Sequence, residues 1–371
     1  SHSIYLLMTD AASYFSEFYA EARERFLAAC ADAKCSVTTN VLDIKGPNGE
    51  ELAIDSTYIG TKDARHLLVL ISGIHGPELM TGSGCQIGFL KESLFTDLPK
   101  DTGVLIIHAA NPWGSAYCRR NNEDNVDLCR NFIDFKNPPE HNHDYDNVKE
   151  WLPYAFASDE QGDLARQAKE SYEKNHSEGA FGRGFMAGQY HDSDGISFGG
   201  TKPVWSHQII EQTAKAHGQR AKKICVLDIH SGLGPYAYCT TVCLQVGEGL
   251  ARARQTYGEW VLAPNDPDVA GDNQAPNVTG HTTKLFERLY PNGEVTLVVL
   301  EFGVKSYEHT AEILMREHRL THQVGEDHQE LQQSRQDLSR AFYPQDKYWR
   351  RAVWNHSLQA IEQSLDLLAS Q

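Results

Sequence analysis

The sequence lacks any apolar run approaching the roughly 18 residues that suggest a membrane-spanning helix. Its longest, such as Val295–Leu300, are strand-sized. Positive charge is also short: 34 Lys and Arg face 50 Asp and Glu, a formal net charge of −16. A surface of that sign repels nucleic acid and anionic lipid, so neither is an expected partner. Cysteine is sparse, eight in 371 residues, which excludes a disulfide scaffold. Several of the eight sit inside apolar runs, where a small buried thiol is the ordinary outcome. The first residues, Ser1–Met8, have no basic segment and do not read as an export signal, so a cytoplasmic location is expected. Without such a signal, the Asn-x-Ser/Thr matches at Asn175, Asn277 and Asn355 carry little weight. Internal repeats and low-complexity tracts are absent too.

What is present is globular: 40% hydrophobic and 23% charged residues. Residues 9–34 read as an amphipathic helix, with Tyr14, Phe18, Ala22 and Phe26 at fourfold spacing. Five apolar runs follow: His66–Ile74, Gly103–Ala109, Lys223–Ile229, Tyr238–Val246 and Val295–Leu300. Most are nearly continuous rather than alternating, as in strands buried on both faces. Helical stretches at about 78–93, 203–220, 249–262 and 281–290 fall between them. This interleaving predicts an α/β fold, a mixed and mostly parallel sheet with helices on both faces. Residues 134–200 are polar, with Pro138-Pro139 and many glycines, and read as an insertion or lid over the sheet edge. Charged helical segments at about 307–338 and 346–369 are expected to pack on one sheet face. The whole chain, 1–371, reads as a single elaborated domain.

The most informative segment is Ile71-Ser72-Gly73-Ile74-His75-Gly76-Pro77-Glu78. A buried strand ends, and His75 and Glu78 follow three apart where a helix should begin. Imidazole nitrogen and carboxylate oxygen are both zinc donors, and Pro77 suits a first helical turn. Gly76 allows close backbone approach. A second HxxE, His309–Glu312, lies in a charged helical segment and reads as a solvated face. A catalytic zinc needs a third protein ligand and one open position. His230 stands at the carboxyl end of another strand, where ligands bind in open α/β sheets. Glu301 ends Val295–Leu300 in the same way and is a candidate general base. Three arginines, Arg119, Arg120 and Arg130, fall within twelve residues and could clamp a carboxylate or stabilise an oxyanion. His141, His143, Asp144 and Asp146 could bind a second metal but read first as a polar loop. Glu317-His318 with His322 is a weaker metal candidate, since no HExxH is formed.

These segments, in this order, resemble the zinc metallocarboxypeptidase (carboxypeptidase A-like) superfamily, which includes the succinylglutamate desuccinylase and aspartoacylase branch. Within it the chain looks like a little-characterised bacterial group known only as a domain of unknown function. The resemblance spans about residues 65–305. It implies an eight-stranded mixed sheet and one Zn²⁺ held by His75, Glu78 and His230. It further implies Arg120 polarising the scissile carbonyl, Asp127 supporting a ligating histidine, Arg130 binding a substrate carboxylate and Glu301 as general base. Cys129 stands where the family has Asn. A thiol is the poorer donor, so the substrate clamp formed by Arg130 and Cys129, with Ser231 nearby, is expected to be weakened or rebuilt. Tyr236, Tyr238, Tyr257 and Tyr290 are all candidates for a tyrosine closing over the substrate. The expected activity is zinc-dependent hydrolysis of an amide in a small peptide or N-acyl amino acid, by a peptidase or a deacylase. A non-catalytic zinc-binding scaffold and a zinc esterase are the alternatives.

Overall fold

A computed structural model describes residues 10–268 and 278–370; Ser1–Met8 and Asn277, singled out above, lie outside them. Among the described residues seven strands form one sheet: β1 (Val37–Lys45), β2 (Glu51–Gly60), β3 (His66–Ile71), β4 (Thr102–His108), β5 (Lys223–Leu233), β6 (Cys239–Val242) and β7 (Glu294–Lys305). Their order is β1-β2-β4-β3-β5-β7-β6. The central pairs β4–β3, β3–β5 and β5–β7 are parallel, and the outer pairs are antiparallel. The sheet is therefore mixed, as expected, with one strand fewer than eight. Helices α1 (Tyr19–Asp32), α2 (Leu79–Lys91), α3 (Pro112–Tyr117), α4 (Leu128–Asn131), α5 (His143–Val148), α6 (Glu160–Asn175), α7 (Ala180–Met186), α8 (Trp205–His217), α9 (Gly247–Tyr257), α10 (Thr282–Leu289), α11 (Tyr307–Gln323), α12 (Gln329–Phe342) and α13 (Lys347–Ala369) surround it.

Successive strand residues point to opposite faces, and both faces are filled. Leu68, Leu70, Val104, Ile106, Leu227 and Val298 share one cluster with α1, α2, α9 and α13. Leu67, Val69, Leu105, Val226 and Leu297 share the other with α4, α8 and α10. Helix α2 carries three glycines, poor helix formers, yet it is buried almost throughout. Packing explains them. A Cβ at Gly84 would lie 2.2 Å from the Phe15 ring, and one at Gly88 would lie 2.5 Å from Trp354. The glycines let the N-terminal segment and α13 close directly onto α2.

Four sequence expectations need correction. The first helix begins at Tyr19, after a 3-10 turn over Ala11–Tyr14 capped by Asp10. Phe18 is extended and 59% exposed, and Phe15 turns inward instead. Strands β1 and β2 were not anticipated. Strand β1 is mostly exposed, and β2 buries Asp55, Ser56 and Thr57, so neither forms an apolar run. Strand β6 stops at Val242 because a side chain replaces its backbone: Gln245 donates to Val295 O (2.8 Å) and accepts from Leu297 N (2.9 Å). Finally, of the C-terminal helices α11, α12 and α13, only α13 lies on a sheet face. Helices α11 and α12 pack on each other and reach the ends of β5 and β7. The 134–200 segment is helical and has its own apolar cluster, completed by Ala311 and Met315 of α11.

His108 locks β4 between α1 and α2. Its Nε2 meets Ser83 Oγ at 2.9 Å, and its ring stacks on Phe26 at 4.4 Å. Burial pushes its pKa down to about 4, against the pull of Asp55. The unfolded chain takes up this proton near pH 6.5, while the native chain resists until about pH 4. The stabilisation is therefore full above pH 6.5 and lost as pH falls toward 4. Denaturant unfolding at pH 7 and pH 4.5 should show His108→Gln losing less stability than wild type, by roughly 2–3 kcal/mol.

Candidate metal centre

After β3 the chain leaves the sheet and makes a 3-10 turn over Gly76–Glu78, with Pro77 inside it and His75 extended at its start. One turn thus presents both side chains on the same side, and His75 Nδ1 lies 2.7 Å from Glu78 Oε2. Only glycine fits at position 76: a Cβ would lie 2.1 Å from the Arg119 carbonyl. That close approach seats the arginine loop against the turn. Strand β5 runs parallel to β3 and brings His230 alongside, its Nδ1 3.3 Å from Glu78 Oε1. The Ser231 N–H donates to the same oxygen at 2.8 Å. His75, Glu78 and His230 are all buried, and each offers a ligand atom within 4.8 Å of the others.

The outer nitrogens of both rings face carboxylates. His75 Nε2 bonds Asp127 Oδ1 at 3.0 Å, and His230 Nε2 lies 2.8 Å from Asp228 Oδ1. Asp127 also caps α4 by accepting from Cys129 N, and Asp228 accepts from Thr282 Oγ1 at 2.6 Å. Both Nδ1 atoms are left facing Glu78. His75 Nδ1 and Glu78 Oε2 are buried without a hydrogen-bond partner despite their contact. Unsatisfied buried polar atoms are costly, and a metal ion supplies the missing partner. The donor set fits: two imidazoles and a carboxylate, with carboxylates behind the imidazoles.

The electrostatics agree. Burial and Arg120 oppose a charged His75, yet Asp127 and Glu78 outweigh them and raise it to about 10. His230 is likewise raised against burial by Asp228 and Glu78. Burial would lift Glu78, but the two histidines hold it well below the carboxylate range. The cluster therefore favours positive charge at its centre.

Glu301 lies opposite His230 in the β5–β7 register, and its Oε1 accepts from Leu233 N at 3.0 Å. Burial, then the negative Glu78, raise it to about 7. The sequence places His230 and Glu301 at strand ends, but both lie inside their strands, which run on to Leu233 and Lys305. Pairing continues through Gly232↔Gly303, where glycines break the apolar pattern without breaking the ladder. Arg120 Nε reaches Asp127 Oδ2 at 3.4 Å. Arg130 is buried, donating to Met186 O (2.8 Å) and Cys129 O (3.1 Å).

A cleft of about 1010 Å³, counting its open mouth, stands over this cluster. His75, Glu78, Arg120, Asp127, Arg130, His230, Ser231 and Glu301 all line it. The hydroxyl of Ser231 is already engaged, bonding Phe342 O at 2.7 Å and Thr81 Oγ1 at 3.0 Å. Cys129 does not line the cleft and is 2% exposed. Its thiol sits behind the rings, where burial would raise its pKa but His75 and His281 pull it down to about 6. None of the four tyrosines considered reaches the cleft: Tyr257 bonds Ser364, Tyr290 bonds Ala214, Tyr236 bonds Asp346 and Tyr238 is exposed. Tyr307, at the start of α11, does line it. The wall also includes Phe185 and Met186 of α7 and Leu314, Met315 and His318 of α11, none of which the strand-end rule could find. His309 is exposed, and Glu312 pairs with Arg319 at 3.1 Å, so the second HxxE stays apart from the centre.

The fold is that of the carboxypeptidase A-like enzymes. Carboxypeptidase A from Helicoverpa armigera superposes with a TM-score of 0.50 at 10% identity, covering 95% of this chain and 73% of that one. Thrombin-activatable fibrinolysis inhibitor superposes with a TM-score of 0.51 at 11% identity, covering 99% and 78%. Comparison with curated proteins gives no match. A family model described as "Protein of unknown function (DUF2817)" matches residues 15–356, and the chain belongs to that family. No helix among the described residues is long and apolar enough to cross a membrane.

Asp127→Asn leaves the three ligand candidates and an acceptor for the α4 cap, but removes the charge behind His75. Chelator competition should show its metal affinity reduced about 10–100-fold. His75→Ala should lose the ion bound at this centre altogether.

Proposed function

We propose that this chain is a zinc-dependent hydrolase of an amide bond, acting on a small peptide or an N-acyl amino acid. The observation that carries the reading is the placement of Glu301, opposite His230 and beside the His75–Glu78–His230 cluster, in a cleft that arginines also line. A two-imidazole, one-carboxylate set is a catalytic zinc set, and bound zinc supplies Lewis acidity to water and to the scissile carbonyl. Glu301, its carboxyl raised by burial, takes the proton from the attacking water and passes it to the leaving amine. Arg120, anchored on Asp127, presents its guanidinium to the developing oxyanion. Losing one such donor typically costs about 10²–10³ in rate. Arg130 is the group for a substrate carboxylate, and the apolar wall from α7 and α11 suits an apolar substrate group.

The reading is tested by a mass-spectrometric screen of zinc-loaded wild type and Glu301→Gln. The substrates are free-ended peptides, C-terminally amidated peptides and N-acyl amino acids. Loss of one C-terminal residue from free-ended peptides alone identifies a carboxypeptidase; release of an acyl group from small N-acyl amino acids identifies a deacylase. Glu301→Gln should keep its zinc and lose turnover, and equal activity in that variant would falsify the general-base role. Silence of zinc-loaded wild type across the library would replace hydrolysis by a non-catalytic scaffold. Arg130→Ala should raise KM for carboxylate-bearing substrates with little change in kcat.

A further inference from the structure

A second constellation lies on the 134–200 segment. His141 precedes α5, Asp146 lies within it, and His191 comes from the chain that follows α7. His141 Nε2 is 2.6 Å from Asp146 Oδ2, and His191 Nε2 is 2.8 Å from Asp146 Oδ1. The two rings lie 4.2 Å apart, and His143 stands 4.8 Å from His141. One ligand atom from each of His141, Asp146 and His191 falls within 4.8 Å of the others. The arrangement is held by its surroundings. The His191 N–H donates to Gln189 Oε1 at 3.1 Å, and Tyr145 OH bonds the neighbouring Asp192 at 2.5 Å.

We propose that His141, Asp146 and His191 form a second divalent metal site, of the zinc, cobalt or nickel class, separate from the cleft centre. The chemistry selects that class, because two imidazoles with one carboxylate suit borderline first-row ions rather than calcium or magnesium. Each of the three side chains is about one-third or more exposed, so water can enter and complete the coordination. A single cation would take both Nε2 atoms and keep the Asp146 carboxylate paired.

The site ties α5 to a loop that shapes the cleft. Residues 189–197 carry Ile196 and Ser197, both in the cleft wall. Asn125, also in the wall, donates to Ser193 O at 2.9 Å and Gly195 O at 3.1 Å. An ion at His191 therefore stiffens the wall without touching the proposed catalytic groups.

The test is a count of bound zinc after equilibrium dialysis of metal-free protein against buffered low-micromolar zinc. Wild type should bind two ions per chain. His191→Ala, Asp146→Asn and His75→Ala should each bind one, and His75→Ala/His191→Ala none. Circular dichroism in metal-free buffer checks folding, and the conservative Asp146→Asn serves if the alanine variant is disturbed. One ion in wild type that survives both His191→Ala and Asp146→Asn overturns the proposal, as do two ions in both variants. Since the count needs no turnover, loss of this site and failure of the hydrolase reading are read separately.

Discussion

Glu78 is a buried carboxylate that burial alone would make neutral. It stays charged because two imidazoles point their inner nitrogens at it, and each imidazole has a carboxylate at its back. The arrangement demands that three chain segments, the turn after β3, the loop holding Asp127 and strand β5, meet to within hydrogen-bond distance. The parallel β3–β5 pairing brings Asp228 opposite Ile71 and carries His230 two residues further, level with the turn after β3. Gly76 admits the arginine loop, and Asp127 binds the loop to His75 while capping α4. Such buried ion networks contribute little net stability, since desolvation offsets the attraction. The stabilisation falls instead to the two apolar faces of the sheet, and the network fixes which groups meet.

The legible parts of the sequence were those buried on both sides. Strands β3, β4, β5 and β7 read as continuous apolar runs because helices cover both faces. The ligand candidates were legible for the same reason, since a polar residue after such a run stands out. What escaped was whatever depends on partners distant in sequence. Asp55 looks wrong for a buried strand until Arg23 and Thr39 are seen bonding it, at 2.8 Å and 2.6 Å. Helix α11 looks like a charged surface helix. Yet Glu317 is buried, paired with Arg119 at 2.9 Å and Arg335 at 3.3 Å, and Ala311 and Met315 close the apolar cluster of the 134–200 segment. His191 was invisible as a partner of His141 because fifty residues and three helices separate them. Tyr307 escaped because it lies beyond Glu301, outside the stretch that holds the four candidate tyrosines.

Cys129 shows how position in the fold changes the meaning of a substitution. From sequence, a thiol in place of an amide beside Arg130 weakens a substrate clamp. In the folded chain Arg130 is anchored by backbone carbonyls, those of Met186 and of Cys129 itself, and a backbone acceptor is indifferent to its own side chain. The thiol instead faces His75 and His281, behind the candidate metal centre. It is also within ligand distance of Asp228 and His230. Its chemistry therefore bears on how the imidazoles of His75 and His230 are held, while the arginine keeps its place. The thiol thus touches the imidazoles from behind, and Arg130 keeps its backbone anchors.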